Sequence, residues 1–469
     1  MAKHDNINSN SMENQDGACV VIDLIENAMP PPSSSARIRR VPEILLREEG
    51  DYEKYYVPKV VSIGPYHYGN PKLESVEKLK PVFTKQFLSR LEYNVGLRNL
   101  YKKLGEANMV KELRELYEEE STDHLNDEEF TTMMLLDGCF ILYYIRFIYG
   151  ERAGNCSYLR SHQTVLINQD LFSLENQIPF KVLNEVMDLI KLDRLDKFQS
   201  FFVDNILSPR MQKRVWFQFF NLGSRSTQTD QNYAPESHGS YIFIGDHLLH
   251  RLHTGLKGIS AQNESHTIVH SNRNDEISTR CTFRNVSELV DVGIHFKPSS
   301  RMSLDTVEFV ELWWWWFSAY LKLPPITVDD STKLMILNLI AYEMCSDDAH
   351  AWVTSYICLL DSLIDHPEDV KALRNAGVLD NSLGSDQEVA TLFNEIANGR
   401  GLVPNNVAYS KVMYQIQKHY EDLRNTWCSQ LKHEYIKSPW SFLALVGAVM
   451  ALFLSAVQTY YTVWSPKGE

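Results

Sequence analysis

Seven cysteines are spread over 469 residues, at Cys19, Cys139, Cys156, Cys281, Cys345, Cys358 and Cys428, an odd number never spaced as C-x-x-C. That scatter excludes a disulfide framework as the organising device and suits thiols kept reduced. The short motifs of common chemistries are missing too. There is no Walker loop, dinucleotide fingerprint, H-E-x-x-H pair or G-x-S-x-G turn, so phosphate-loop, nicotinamide, zinc-peptidase and serine-hydrolase mechanisms lack their carriers. Clustered cations are scarce as well. A net charge of -14 and a pI near 5.6 exclude a nucleic-acid surface, which needs Lys and Arg massed against phosphates. At the N-terminus the Val20 to Ile25 run is short, is broken by Asp23 and follows no basic stretch, so it does not read as a secretory signal.

Charge is also absent from Trp440 to Trp464, and that absence is informative. A hydrocarbon core of about 30 Å takes roughly 20 apolar residues in a helix rising about 1.5 Å each, and WSFLALVGAVMALFLSAVQTYYTVW supplies them. Trp440 at one end and Tyr460, Tyr461 and Trp464 at the other set rings at headgroup depth, with Ser438 and Pro439 as cap and first-turn proline. The segment predicts a single-pass anchor whose partner is membrane lipid. Arg424, Lys432 and Lys437 before it outnumber Lys467 after it, which favours a cytosolic body on a plasma-membrane or endomembrane surface, inserted after translation as a tail-anchored protein. Gly447, Ala451 and Ser455, four apart, smooth one face for a second helix and predict homo- or hetero-oligomers. Sequons at Asn155, Asn263 and Asn285 point the other way, to an extracellular body that would carry glycans.

The hydrophobic content of 44% demands a folded core. Residues 1–36 end in a Pro/Ser run and read as a disordered tail; 37–222 form a helical N-terminal half and 223–280 a mobile polar region with one short helix. A helical C-terminal half at 281–437, the anchor at 438–464 and a short tail at 465–469 complete the division. The fold class is mainly α: a multi-helical globular body with few short strands, plus one C-terminal transmembrane helix. Residues 37–71 carry β-branched residues punctuated by Pro and Gly and read as extended segments and turns. Leu73, Val76, Leu79, Phe83, Phe87, Leu88 and Leu91 predict one amphipathic helix, and Phe130 to Ile148, apolar nearly all round, predicts a central one. Pro179 suits the first turn of the helix that follows Glu175, Asn176 and Gln177. Asp329 or Asp330 is expected to cap the helix through Leu334 and Met344, Gly377 to end another, and Ser385 with Glu388 to open a third. Tyr409, Met413, Ile416, Tyr420, Leu423 and Trp427 form a heptad-like stripe expected to pack against the body rather than into a coiled coil.

Taken in order, VPEILL, VPKVVSIGPYHYG, EEFTTMMLLDGCFIL, LFSLENQIPF, SELVDVGIHFKPS, LPPITVDDST, LIAYE, VTSYICLLDSLID, GSDQEVATLFNEIA and SPWSF resemble the plant domain-of-unknown-function 247 family across nearly all of Arg37 to Trp464. The resemblance implies a mostly helical plant protein with one C-terminal membrane helix, no established enzymatic activity and no catalytic residues to carry over. Grass members are associated with self-incompatibility loci, so the resemblance implies recognition or signalling through an unidentified protein partner. One departure stands out. FVELWWWWFSAYLKLPP occupies the place of an extended stretch in the family.

Within that departure, Trp313, Trp314, Trp315 and Trp316 cannot all point one way, so at least one ring is expected near the surface as a partner anchor. His247, His250 and His253 recur every third residue. With no Cys or carboxylate at ligand spacing they read as the polar rim of a helix that buries Leu248, Leu249, Leu252 and Leu256, and no metal or other cofactor is assigned. The best catalytic set available, Asp137 and Glu175 with His67, would make a carboxylate-dependent hydrolase and needs distant segments to meet. Without that meeting no catalytic residue is assigned, and the expected role is non-enzymatic. The acidic run from Glu115 to Glu129 reads as a solvated helix face and loop.

Overall fold

The computed structural model describes residues 36–88, 93–148, 159–190, 201, 246–257, 284–300, 303–312, 318–346, 349–398, 402–404, 408–421 and 439–464. Helices dominate. In chain order they begin with α1 (Asp51–Tyr55), α2 (Glu74–Glu77), α3 (Lys80–Leu88), α4 (Tyr93–Leu104), α5 (Ala107–Arg114) and α6 (Asp127–Ile148). Next come α7 (Ser161–Asp170), α8 (Phe180–Ile190), α9 (Leu248–Lys257) and α10 (Val286–Asp291). Strands β1 (Ile294–Pro298), β2 (Glu308–Leu312), β3 (Ser318–Leu323) and β4 (Ile326–Val328) precede α11 (Thr332–Cys345), α12 (Trp352–Leu363), α13 (Pro367–Asn375) and β5 (Leu379–Asn381). The last helices are α14 (Asp386–Ala397), α15 (Ser410–Glu421) and α16 (Pro439–Trp464).

The central helix is α6, as its all-round apolarity predicts. Its start is fixed reciprocally: Asn126 Oδ1 accepts the Glu129 N–H at 2.9 Å and Glu129 Oε2 accepts the Asn126 N–H at 3.1 Å. Asp127, Glu128 and Glu129 then set negative charge at the positive end of the helix dipole. Gly138 lets α8 approach closely, since a Cβ there would meet Val182 at 3.2 Å and Val186 at 3.3 Å. On another side α3 lays Phe83 against Phe140 and Tyr143. By length and composition α6 could cross a membrane, yet 72% of its apolar window is buried inside the protein.

The single helix expected from Leu73 to Leu91 is interrupted. α2 ends at Glu77 and α3 starts at Lys80, because Pro81 has no N–H to donate and its ring clashes with the preceding turn. Leu91 lies outside the described residues, as do Asn155, Asn263, Leu423 and Trp427. Between Ile294 and Val328 the described residues supply four strands, with β3 between a parallel β1 and an antiparallel β2, and β4 parallel to β5. Ala319 and Leu321 of β3 are buried, while Glu308 and Lys322 pair across the β2–β3 register at 3.1 Å.

Local punctuation in the C-terminal half follows expectation. Asp329 Oδ1 accepts the N–H groups of Ser331 and Thr332 at the start of α11, Gly377 takes φ +76° after α13, and Ser385 Oγ accepts the Glu388 N–H at 3.2 Å to open α14. Sequon residue Asn285 is itself a cap, its Oδ1 accepting the Glu288 N–H at 2.9 Å at the start of α10. Asn285→Ala is therefore expected to lower stability by about 1 kcal/mol in protein made without glycosylation, read as a shift of the urea midpoint. An unchanged midpoint would show that the cap contributes nothing.

The two halves of the body share one buried cluster. Asn338 of α11 accepts the Leu174 N–H at 2.8 Å and donates to the Tyr55 carbonyl at 3.0 Å, so a buried polar group is satisfied by both sides. Helix α15 turns Val412, Ile416 and His419 inward, where His419 meets Phe309 of β2 edge-on. Its described part packs on the body. The last helix behaves differently: α16 runs 26 residues with Leu452 72% and Phe453 65% exposed, and Val449, Met450, Leu454, Tyr460 and Tyr461 also exposed.

Candidate functional site

Residues Lys59 to Gly64 form neither helix nor strand, and with Val60 to Gly64 buried their N–H groups need partners. Side chains replace the missing strand. Asp170, at the end of α7, accepts from Lys59, Val60 and Val61 at 2.8, 2.7 and 3.0 Å. Asn176 Oδ1 accepts from Ile63 at 2.7 Å, and Asp137 Oδ2 accepts from Gly64 at 2.8 Å. Asn176 also donates back to the Val61 carbonyl at 3.1 Å. Burial pushes the Asp170 carboxyl up to about 6 in spite of its three backbone donors.

Asp137 meets the buried ammonium of Lys80 at 2.5 Å, each residue 1% exposed, and Lys80 also donates to the Ser62 carbonyl at 2.6 Å and pairs with Glu77. Burial raises the Asp137 carboxyl above its usual range, while Lys80 and the Gly64 N–H pull it back. Gly64 itself has φ +78°, and a Cβ there would lie 2.3 Å from the Gln177 carbonyl oxygen. No other residue fits that crossing.

Glu175 serves a second extended stretch. Its Oε1 accepts the Val41 N–H at 2.8 Å, its Oε2 accepts the Tyr52 hydroxyl, and His67 Nε2 stands 3.8 Å from Oε2. Burial, with the Arg40 charge nearby, drives the His67 imidazole down to about 4, so the ring is neutral near pH 7. The structure thus brings Glu175 and His67 together, whereas the hydrogen bonds of Asp137 go to Lys80 and Gly64. As a base, either carboxylate would have to abandon a buried N–H. The arrangement fixes backbone.

The histidines depart from expectation. His247 and His253 are buried rather than on a rim, because α9 packs on α11 and α12 and presents that face to Tyr342. The rings of His247, His250 and His253 lie 5.6, 5.5 and 5.2 Å from the Tyr342 ring, yet each has its own polar partner. His247 Nδ1 is 3.3 Å from Gln177 Oε1, His250 Nδ1 accepts the Asp246 N–H at 3.0 Å, and His253 Nε2 is 2.7 Å from Glu343 Oε1. Among the described residues, no three His, Cys, Asp or Glu side chains converge on a metal position.

Trp313, Trp314, Trp315 and Trp316 lie outside the described residues, between β2 and β3. Gly447, Ala451 and Ser455 are exposed on α16, with nothing within 4 Å of a Cβ built on Gly447. In the acidic run Arg114 pairs with Asp127 at 2.9 Å and its guanidinium covers the Phe130 ring. Sequence reasoning missed Lys80, Asp170, Asn338 and Glu343 as organising groups. For Asn338 and Glu343 the signal was a lone polar residue inside an apolar run, MILNLIAYEM, whereas Lys80 and Asp170 stand among other polar residues.

The model of DUF247, described as a plant protein of unknown function, matches residues 38–454. A UPF0481 protein of Arabidopsis thaliana is 26% identical over 451 residues, covering 94% of this chain and 88% of the relative. A second UPF0481 protein of the same plant is 26% identical over 495 residues, covering 91% and 90%. No solved structure matches the chain.

Proposed function

The chain belongs to the plant DUF247 family, and on that premise we propose a membrane-anchored, non-enzymatic protein that binds other proteins in signalling or self-recognition. One observation carries the reading: α16 is an uncharged 26-residue helix whose large apolar side chains are exposed, whereas α6, long and apolar but charged at five positions, is buried. A continuous apolar surface of that kind needs a cover, and lipid fits its length, its lack of charge and its terminal aromatic rings. The body then sits on the cytosolic side, as the basic residues ahead of α16 favour. A non-enzymatic role is supported by the carboxylates: Asp137, Asp170 and Glu175 each accept buried backbone N–H groups, an arrangement suited to holding a binding surface rigid.

Carbonate extraction of full-length protein from plant membranes tests the anchor. The expected result is retention in the pellet, with Val449→Arg/Leu452→Arg moving the chain into the supernatant, since each central Arg costs about 2.5–3.5 kcal/mol. Full-length protein that dissolves without detergent would overturn the anchor. Digestion with an endoglycosidase reports the side: a mass shift abolished by substitutions at Asn155, Asn263 and Asn285 would place the body outside the cell as a receptor-like ectodomain. For the partner, we place the anchor rings at Trp313 to Trp316. Changing all four to Ala is expected to remove the strongest neighbours in proximity labelling, and identical neighbour lists would dismiss the tryptophans.

A further inference from the structure

Helix α9 is bound to a receptor that holds its shape alone. Gln177, which accepts the Leu249 N–H at 3.1 Å and faces His247, is fixed by its own Nε2 donating to the Leu171 and Ser173 carbonyls at 2.9 and 2.7 Å. Glu343, the partner of His253, keeps the Val353 N–H at 2.8 Å and the Thr354 N–H and hydroxyl at 2.8 and 2.6 Å. If α9 departs, Glu343 keeps three donors and the Gln177 Nε2 keeps both carbonyls, so only the Gln177 Oε1 has to exchange its partners for water, which limits the cost of the helix leaving as a unit. Holding it down are Leu248, Leu249 and Leu252, fully buried, together with the Phe180 N–H to Asp246 carbonyl bond at 2.8 Å and the Ser303 hydroxyl donated to the Lys257 carbonyl. His247 sits at the start of α9 with no exposed surface. A charge there could be hydrated only off the body.

We propose that α9 is an acid-released strap: protonation of His247 lifts Leu248–Lys257 from Gln177, Tyr342 and Glu343 while the rest of the body stays folded. Several charged or titratable groups face His247. From its own segment come Asp246 and His250, from the N-terminal stretch Arg37, which pairs with Asp246 at 3.8 Å, and from α11 Tyr342. Beyond them lies the His253–Glu343 pair, also against Tyr342. Asp246 and the Arg37 backbone favour a charged ring, but burial first and His250 second outweigh them and hold it down to about 3. The sign follows. A ring titrating near 6.5 off the body and near 3 on it takes up a proton only when released, so release grows as pH falls below about 6.5. At pH 5 the released population should rise about 30-fold over its value at pH 8.

Hydrogen exchange on the full chain in lipid nanodiscs, corrected for the intrinsic pH dependence of exchange, tests this. Peptides spanning 248–257 are expected to lose about 30-fold in protection between pH 8 and pH 5, reversibly, while staying less protected than peptides from α13 and α14 at both pH values. His247→Gln, which keeps a polar side chain but cannot titrate, should flatten the response of α9. Protection of α9 equal to that of α13 and α14 at both pH values, which marks opening of the whole body, or a His247→Gln protein with the original pH response, would overturn the strap. Should the variant fail to fold, NMR titration of the His247 ring in the unaltered protein decides instead. A ring that stays neutral while α9 opens refutes the proposal, and one that titrates with the opening sustains it.

Discussion

Asp137→Leu is expected to remove about 3–5 kcal/mol of stability, because it takes the fully buried carboxylate from the Lys80 ammonium and leaves only the part-exposed Glu77 beside it. Out of the roughly 5–15 kcal/mol that holds an ordinary domain together, that is about a fifth or more. Lys80→Met is expected to do similar damage from the other side, leaving Asp137 to carry its charge unaided or take up a proton. The double variant should recover most of the loss, since two apolar side chains replace two desolvated charges. It falls short of full recovery because the Gly64 N–H and the Ser62 carbonyl lose their partners, at about 1–3 kcal/mol each, and Glu77 loses its cation. Urea unfolding of the three variants in detergent measures the coupling. Singles that each cost under about 1 kcal/mol and add in the double would mean that the two charges do not form a buried pair.

Gly64→Ala is the second large effect. A side chain at φ +78° costs roughly 1–2 kcal/mol on conformation alone, and here the new Cβ would also sit 2.3 Å from the Gln177 carbonyl oxygen. Something in the 59–64 stretch or the 171–177 turn must move, and both are pinned by Asp170, Asn176 and Asp137. A total loss above about 3 kcal/mol is expected, enough to reduce the yield of folded protein. Gly69 provides the control, with the same φ of +78° and nothing within 4 Å of an added Cβ. Gly69→Ala should cost only the conformational part. Equal melting shifts for the two substitutions would remove the close crossing from the account.

What the sequence made legible was local. The Ser385 cap, the Gly377 stop and the all-apolar character of α6 are written within a few residues of where they act, so spacing and chemistry suffice to find them. The break at Pro81 was legible in principle and was hidden by the persistence of the apolar period through it. The clamp on Lys59 to Gly64 was out of reach, because its donors and acceptors lie 73 residues apart for Gly64 and Asp137 and 110 for Val60 and Asp170. A carboxylate in an apolar run announces that something must meet it and does not say what. The histidines show the same limit. Their three-residue step placed them on one side of a helix, while their burial depends on Gln177 and Glu343, 70 and 90 residues away.

The same Asp137 has a consequence at birth, before any body exists. An insertion machinery that sorts nascent segments by apolarity meets α6 long before α16, and by length alone α6 qualifies for transfer into the bilayer. A carboxylate midway along the segment taxes that transfer by about 2.5–3.5 kcal/mol, a levy α16 escapes because it carries no charge. In the folded body the Lys80 ammonium meets that carboxylate. One acidic side chain thereby makes α6 a costlier segment for lipid than its length suggests, and in the folded body it is the keystone of the interior.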